Sequence, residues 1–323
     1  MSGDSSAGIA REAVRAIVRS AGFDRVGFAS AGPAPSSDRF RAWAERGFAG
    51  EMRYMTKGLE RRADPRLVLE GARTVISAAV HYREPGASGT ELAPGEARIA
   101  SYAQGKDYHL VLERRLKAAC ATLKERFPAS YRWYVDTGPV LERDWAQAAG
   151  IGWIGKNTCA IDPERGSYFF IAVILTTLDL EPDEPSVNHC GTCRACIDAC
   201  PTAALVAPYE LDARLCISYL TIEHRGPIPP TLAPKLGDWV FGCDVCQDVC
   251  PFNQRDRAGT SSDFELAPRQ ENVSPRLEGL ATLDEESFRA RFPQSPVRRA
   301  KHEGFRRNVL AALRNSAGPP ANK

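Results

Sequence analysis

The 323-residue chain has no apolar run long enough to span a membrane. Its N-terminus, MSGDSSAGIAREAVRAIVRS, has no apolar signal core and reads as a short loose leader before a helix, in a protein of the cytoplasm. Charge imbalance is nearly absent: 42 Lys and Arg against 40 Asp and Glu leave +2, which names no partner class. No long tandem repeat is visible. A working phosphate loop is missing too, although one stretch imitates it. GIGWIGKN (150–157) spells both G-x-G-x-x-G and G-x-x-x-x-G-K, but Asn157 stands where Ser or Thr would hold Mg²⁺. The stretch follows a helical pattern and leads into a strand-like one. A phosphate loop does the reverse, placing helix N–H groups toward the anion.

What the chain does have is cysteine. Eight of its 10 cysteines lie between residues 190 and 250, a density that points to metal in a cytoplasmic protein rather than to disulfides. CGTCRACIDACP (190–201) is C-x₂-C-x₂-C-x₃-C-P, the ferredoxin signature in which the fourth cysteine serves a neighbouring cluster. CDVCQDVCP (243–251) repeats its second half, with Val240 where the first cysteine should be; Cys216 can replace it from the insertion between the halves. Crossing the fourth ligands gives Cys190, Cys193, Cys196 and Cys250 for one [4Fe–4S] cluster and Cys200, Cys216, Cys243 and Cys246 for the other. Structural zinc is the alternative, because C-x₂-C pairs also build ribbons and fingers. Zinc sites seldom use this motif twice with a proline after each last cysteine. Cys120 and Cys159 are left over and read as buried, inert thiols.

Periodicity supplies the rest of the fold. Helices are expected over 9–21, 36–46, 107–127 and 140–150, and strands over 25–30, 74–82, 131–136, 157–162 and 168–180. Residues 84–97 read as a surface loop and 254–275 as irregular. The architecture is α/β (α+β) over 1–180, a ferredoxin-like two-[4Fe–4S] module over 181–260, and a helical tail over 261–323. One tail helix should start near Thr282 in a capping box with Glu285, and another should span 303–314 with Phe305, Val309, Leu310 and Leu313 inward. A single helical pair buries little surface, so the tail should dock on the remainder. Eight Lys and Arg against the one acid Glu303 lie between Arg289 and Arg314, a stretch suited to a polyanion.

DTGPVLERDWAQAAGIGWIGKNT (136–158), SYAQGKDYH (101–109), GEMRYM (50–55), CISYLTIEHRGPIP (216–229) and GCDVCQDVCPFN (242–253) together resemble the epoxyqueuosine reductases. The resemblance covers most of residues 10–260; the tail fits more loosely, since some members carry longer helical repeats (HEAT-like) there. It implies a cobalamin-binding domain and an oxidoreductase that removes the epoxide oxygen of epoxyqueuosine at the tRNA wobble position. Electrons would pass from a flavodoxin or ferredoxin through two [4Fe–4S] clusters to cobalamin, in a monomer without membrane contact. The resemblance implies base-off cobalamin with no protein histidine on cobalt. Asp107-Tyr108-His109 begins like the cobalt-ligating D-x-H-x-x-G, but Leu112 replaces its glycine. His109 is therefore read as a helix-start or pocket residue.

The same resemblance makes Asp136 the proton donor, on a strand end and with a pKa raised by burial beside the corrin. Without it, Asp136 would read as the cap of a turn. Tyr102, Lys156, Asn157, Ser167 and Ser218 become candidates for the corrin amides or nucleotide tail, and Asp244 a candidate for backbone approach. GIGWIGKN becomes a wall of that pocket, with Gly152 and Gly155 admitting a flat ligand. Arg298, Arg299, Lys301, Arg306 and Arg307 become candidate tRNA-phosphate contacts; a solvated helical face is the competing reading. Two other functions stay open on sequence: a reductive dehalogenase acting on small organohalides, and a non-catalytic Fe–S electron carrier.

Overall fold

The computed structural model describes residues 3–83, 92–254 and 263–317. At its centre is a four-stranded sheet in the order Arg25–Ser30, Thr74–His81, Phe169–Thr176, Tyr131–Tyr134, every neighbouring pair antiparallel. Thr74–His81 is buried at every position because both faces of the sheet are covered. Ile76, Ala78, Val80 and Ile174 face one side, where the helices Gly3–Ser20 and Tyr108–Arg126 contribute Val14, Val18, Leu112, Leu116 and Leu123. Val75, Ala79, Val173 and Leu175 face the other, under Trp145 and Ala146 of the helix Glu142–Ala148. Each fully buried aliphatic side chain contributes roughly 1.5–3 kcal/mol. Gly27 has to be glycine, since a Cβ there would lie 1.9 Å from the Ala149 carbonyl oxygen.

Several expectations shift. The loose leader is already helical from Gly3. The strand read over 157–162 shrinks to Ala160–Ile161, paired with Trp153–Ile154, and Thr158 turns the chain with φ 66°. Of the loop read over 84–97, residues 84–91 lie outside the described residues. Its remainder is not free surface: Glu96 bridges to Arg276 and Ala97 is fully buried. Asp183, in the stretch leading into the cysteines, accepts from the Phe28 N–H at 2.8 Å and pairs with Arg11 and Arg15.

The tail holds more than a helical pair. Its helices are Leu277–Ala281, Glu285–Arg291, a 3₁₀ turn Pro296–Ala300, and Lys301–Ser316. The cap of the second is Asp284, whose side chain accepts from Ser287 N, rather than Thr282. The tail does dock: Leu277, Phe288, Phe292, Phe305 and Val309 share one core with Ile99, Ile222, Val240 and Phe241. Asn308, fully buried, donates to the Thr221 and Val240 carbonyls at 2.7 and 2.9 Å.

Candidate active site

Asp136 does not end a strand. The strand stops at Tyr134, and the chain bends sharply, with Thr137 N donating to Val135 O at 2.5 Å. Asp136 itself has φ 57°, a left-handed conformation that costs a non-glycine residue on the order of 1 kcal/mol. Surrounding contacts hold it there. Glu142 Oε1 accepts from Asp136 N at 2.7 Å, and Arg62 donates to the Gly138 carbonyl at 3.2 Å. Gly138 lies so close to the Tyr134 ring that a Cβ would stand 2.3 Å from it. The carboxylate meets two residues of the Tyr108–Arg126 helix: Tyr108 OH donates to Asp136 Oδ2 at 2.9 Å, and His109 Nε2 stands 3.7 Å away. Asp107 caps that helix, accepting from His109 N, and its carboxylate lies 2.8 Å from His109 Nδ1. Tyr108 is fixed by stacking on Phe170, with centroids 4.1 Å apart.

The protonation pattern reverses the expected one. Burial pushes the Asp136 carboxyl up, but the donors His109 and Tyr108 outweigh it and hold it below its ordinary value. Burial is the largest single influence, but the donors His109 and Tyr108 together with the charges of His109 and Arg143 exceed it. The protons sit on its neighbours. Burial pulls His109 down, yet Asp107 and Asp136 raise it to about 9. Burial and then the Asp136 charge push Glu142 up to about 8.

The cysteines form two separate groups. Cys190, Cys193, Cys196 and Cys250 line one cavity, together with Lys156, Asn157 and Phe252. Burial and then Cys190, Cys250 and Cys193 push the Cys196 thiol up to about 11. Burial raises Cys243, with Cys216 and Cys200 adding to the effect. Contact with Cys159 and burial raise Cys246, as do Cys243 and Cys216. The donor chemistry of both groups fits thiolate-ligated clusters. Among the described residues no three His, Cys, Asp or Glu side chains converge as for a single ion. Cys159 is not isolated: it lies in hydrogen-bond contact with Cys246.

The cluster signature and the Asp136 loop each have a counterpart among known proteins. Residues 189–253 match the family model described as 4Fe-4S double cluster binding domain, and residues 62–137 the one described as epoxyqueuosine reductase QueG, DUF1730. An epoxyqueuosine reductase of Gloeobacter violaceus is 46 % identical over 306 residues, 93 % of this chain and 94 % of the relative. The chain belongs to the epoxyqueuosine reductase family. A Xanthomonas campestris member is 40 % identical over 94 % of this chain and 86 % of its own length. A crystal structure of an epoxyqueuosine reductase with an epoxyqueuosine-modified tRNA stem loop superposes with TM-score 0.88 at 32 % identity, covering 96 % of this chain and 82 % of that one. A Bacillus subtilis structure matches at TM-score 0.86 and 30 % identity over 96 % and 82 %; it is described with its aspartate catalytic loop swung out of the active site. The enzyme is thus an oxidoreductase of mixed α/β fold with a double-cluster module and a helical C-terminus.

Within this family frame, the pocket candidates divide. Lys156 Nζ donates to the Gly191 and Cys193 carbonyls at 2.6 and 2.8 Å, and Asn157 Nδ2 to the Cys246 carbonyl at 3.1 Å. Both brace cysteine loops. Ser167 is held by Asn253 and Gln247, its hydroxyl 2.8 and 3.0 Å from their amide nitrogens. GIGWIGKN is likewise a wall against protein: a Cβ on Gly152 would stand 2.4 Å from the Ile161 carbonyl oxygen. Trp153, fully buried, donates from Nε1 to Cys190 Sγ at 3.5 Å. Asp244 accepts from Ser101 N and Oγ at 2.7 Å each, and burial pushes it up to about 6. Tyr102 packs against Tyr108 and Phe241. The Tyr102 and Ser218 hydroxyls make no side-chain hydrogen bond among the described residues. Lys156, Asn157 and Ser167 are each hydrogen-bonded to protein groups.

The basic tail divides too. Arg298, Lys301 and Arg306 are exposed. Arg299 Nε pairs with Glu223 Oε1 at 2.5 Å. Arg307 is a structural cation rather than a free one: it donates to the Leu220, His224 and Gly226 carbonyls at 2.7, 2.9 and 2.6 Å, capping the end of the helix Ile217–Ile222. Sequence reasoning missed Tyr108 and Glu142 as neighbours of Asp136. The D-x-H helix start and the acid six residues after Asp136 were the available signals.

Proposed function

We propose that this enzyme reduces epoxyqueuosine to queuosine at the wobble position of tRNA, with cobalamin as the reducing cofactor and Asp136 as the proton donor. Two [4Fe–4S] clusters relay electrons, one on Cys190, Cys193, Cys196 and Cys250, the other on Cys200, Cys216, Cys243 and Cys246. Cobalamin, when bound, supplies the low-potential reducing power that opens the epoxide; Tyr102 and Ser218 would hold its amide rim. Taking out an epoxide oxygen as water consumes two electrons and two protons. The observation that carries the reading is the Asp136 recess. An ionised carboxylate lies open to a ligand there, with two groups that hold protons at neutral pH beside it: His109, whose Nε2 stands 3.7 Å from the carboxylate, and Glu142, which accepts from the Asp136 backbone N–H. Asp136, ionised at rest, takes a proton from the His109 imidazolium and passes it to the departing oxygen. Glu142 holds the loop and stores the second proton.

Arg298, Lys301 and Arg306 of the tail take tRNA phosphates, and Arg299 lies at the same edge. A flavodoxin or ferredoxin feeds the clusters, in a cytoplasmic monomer. Anaerobic turnover of epoxyqueuosine-containing tRNA with a low-potential reductant tests the reading. The loaded enzyme should form queuosine. Asp136→Asn should retain its cluster and cobalamin spectra and lose turnover roughly 10²–10⁴-fold, the range for a positioned proton donor. Near-normal turnover in that variant would remove Asp136 from the chemistry.

A further inference from the structure

A second basic surface adjoins the Asp136 loop, on the short helices Arg53–Thr56 and Leu59–Ala63. Arg53, Lys57 and Arg61 are exposed and form no ion pair among the described residues. The acids nearest them in sequence are taken: Glu60 pairs with Arg41 at 3.1 Å and Glu51 with His224 at 2.9 Å. Between these cations stands Tyr54, 44 % exposed. One side of its ring carries the Arg299 guanidinium, 5.5 Å from the centroid, and its hydroxyl reaches Glu223 at 3.3 Å. The segment is tied to the catalytic loop by one residue: Arg62 donates to the Tyr54 carbonyl at 2.9 Å and to the Gly138 carbonyl at 3.2 Å. An exposed aromatic ring backed by a guanidinium and flanked by unpaired cations therefore sits beside the loop that carries Asp136.

We propose that this segment is a second RNA-binding face, with Arg53, Lys57 and Arg61 on backbone phosphates and Tyr54 stacking on a nucleobase of the substrate loop. The assignment rests on the tRNA reading above. Single-stranded RNA is recognised by this pairing of cations with an aromatic platform, because unstacked bases need a ring and their backbone needs positive charge. Its position is what favours RNA over an acidic protein partner: a base next to the reacting nucleotide must lie within a few ångströms of the Asp136 loop. Arg299 covers one face of the Tyr54 ring, and the base stacks on the other.

The triple variant Arg53→Gln, Lys57→Gln, Arg61→Gln tests it in the cobalamin- and cluster-loaded enzyme, with dithionite as reductant so that no protein donor is needed. The KM for epoxyqueuosine tRNA should rise at least about tenfold at low salt, with kcat nearly unchanged. The slope of log KM against log salt should fall by about 2, since each lost single-strand phosphate contact removes about 0.7. Tyr54→Ala should raise KM roughly tenfold, the size of one lost stack, and Tyr54→Trp should restore it. Wild-type turnover with an unchanged salt slope in the triple variant overturns the assignment while leaving the reductase reading intact. So does a variant with normal tRNA kinetics that is slow only with flavodoxin, which would make the face a docking site for an acidic donor. A loaded wild-type enzyme that neither binds nor turns over the tRNA ends both readings.

Discussion

The antiparallel sheet and the cysteine module hold together by different means. The inner strands Thr74–His81 and Phe169–Thr176 are continuous apolar runs, stabilised by burial on both faces. The cysteine loops have only one-turn helices, Ala195–Asp198 and Val245–Asp248, neither containing a buried residue. Polar side chains fix them instead. Lys156 and Asn157 grip the loop carbonyls, and Trp153 reaches Cys190 Sγ. Ser101 binds Asp244, and Tyr168 OH donates to Asp248 Oδ1 at 2.5 Å. The insertion between these loops keeps a core of its own, with Ile217, Leu220, Leu236 and Trp239, whereas the loops themselves depend on bound clusters and on clamps from the sheet domain. Removing a cluster should therefore damage these loops far more than the sheet.

Cys246→Ala is the harshest way to break that contrast. It should lose about half of the iron and acid-labile sulfide and abolish turnover, because a cluster lacking one thiolate is labile. Limited proteolysis should then cut first within 190–250, with the sheet domain resisting. Equal loss of both regions would show that the module and the sheet fold as one unit. Full retention of iron would mean that Cys159, already in contact with Cys246, can take over as ligand.

The same contrast explains what could be read from the sequence. The sheet and its helices followed from periodicity, since burial on one or two faces leaves a pattern in the chain. The cluster sets followed from spacing, because an Fe–S cube constrains how far apart its ligands lie. Neither signal reaches the Asp136 loop. Its conformation depends on Glu142, Arg62 and Tyr108, which belong to three different elements and leave no period. Resemblance located Asp136, but only the structure places His109 and Glu142 beside it. Lys156 and Asn157 stand out in the sequence, but their partners, the carbonyls of Gly191, Cys193 and Cys246, lie far along the chain and no local pattern announces them.

Glu142 is the next sharpest test. Glu142→Leu removes the acceptor for Asp136 N and releases the left-handed loop that this contact holds. Turnover should fall about 10²-fold, as for a misplaced reacting group. Glu142→Gln keeps an oxygen at the same place and should retain most of the positioning. Its single-turnover rate should still fall, because the stored proton is gone. Equal rates for Gln and Leu would mean that the proton, not the hydrogen bond, is what Glu142 contributes.

The smallest effect lies in pH dependence, where the sign is fixed by His109. Its folded value, about 9, stands above the ordinary 6.5, because Asp107 and Asp136 favour the imidazolium more than burial opposes it. A group raised on folding contributes stability that is complete below its unfolded value and is lost as pH rises through the folded one. The enzyme should therefore lose a modest part of its thermal stability between pH 6.5 and about 9, and His109→Gln should flatten that loss. Proton delivery should follow the same limb: single-turnover rates should decline above pH 9 as the imidazolium that protonates Asp136 disappears. An alkaline limb that persists unchanged in His109→Gln would move the proton store to Glu142, whose own value of about 8 places its limb one unit lower.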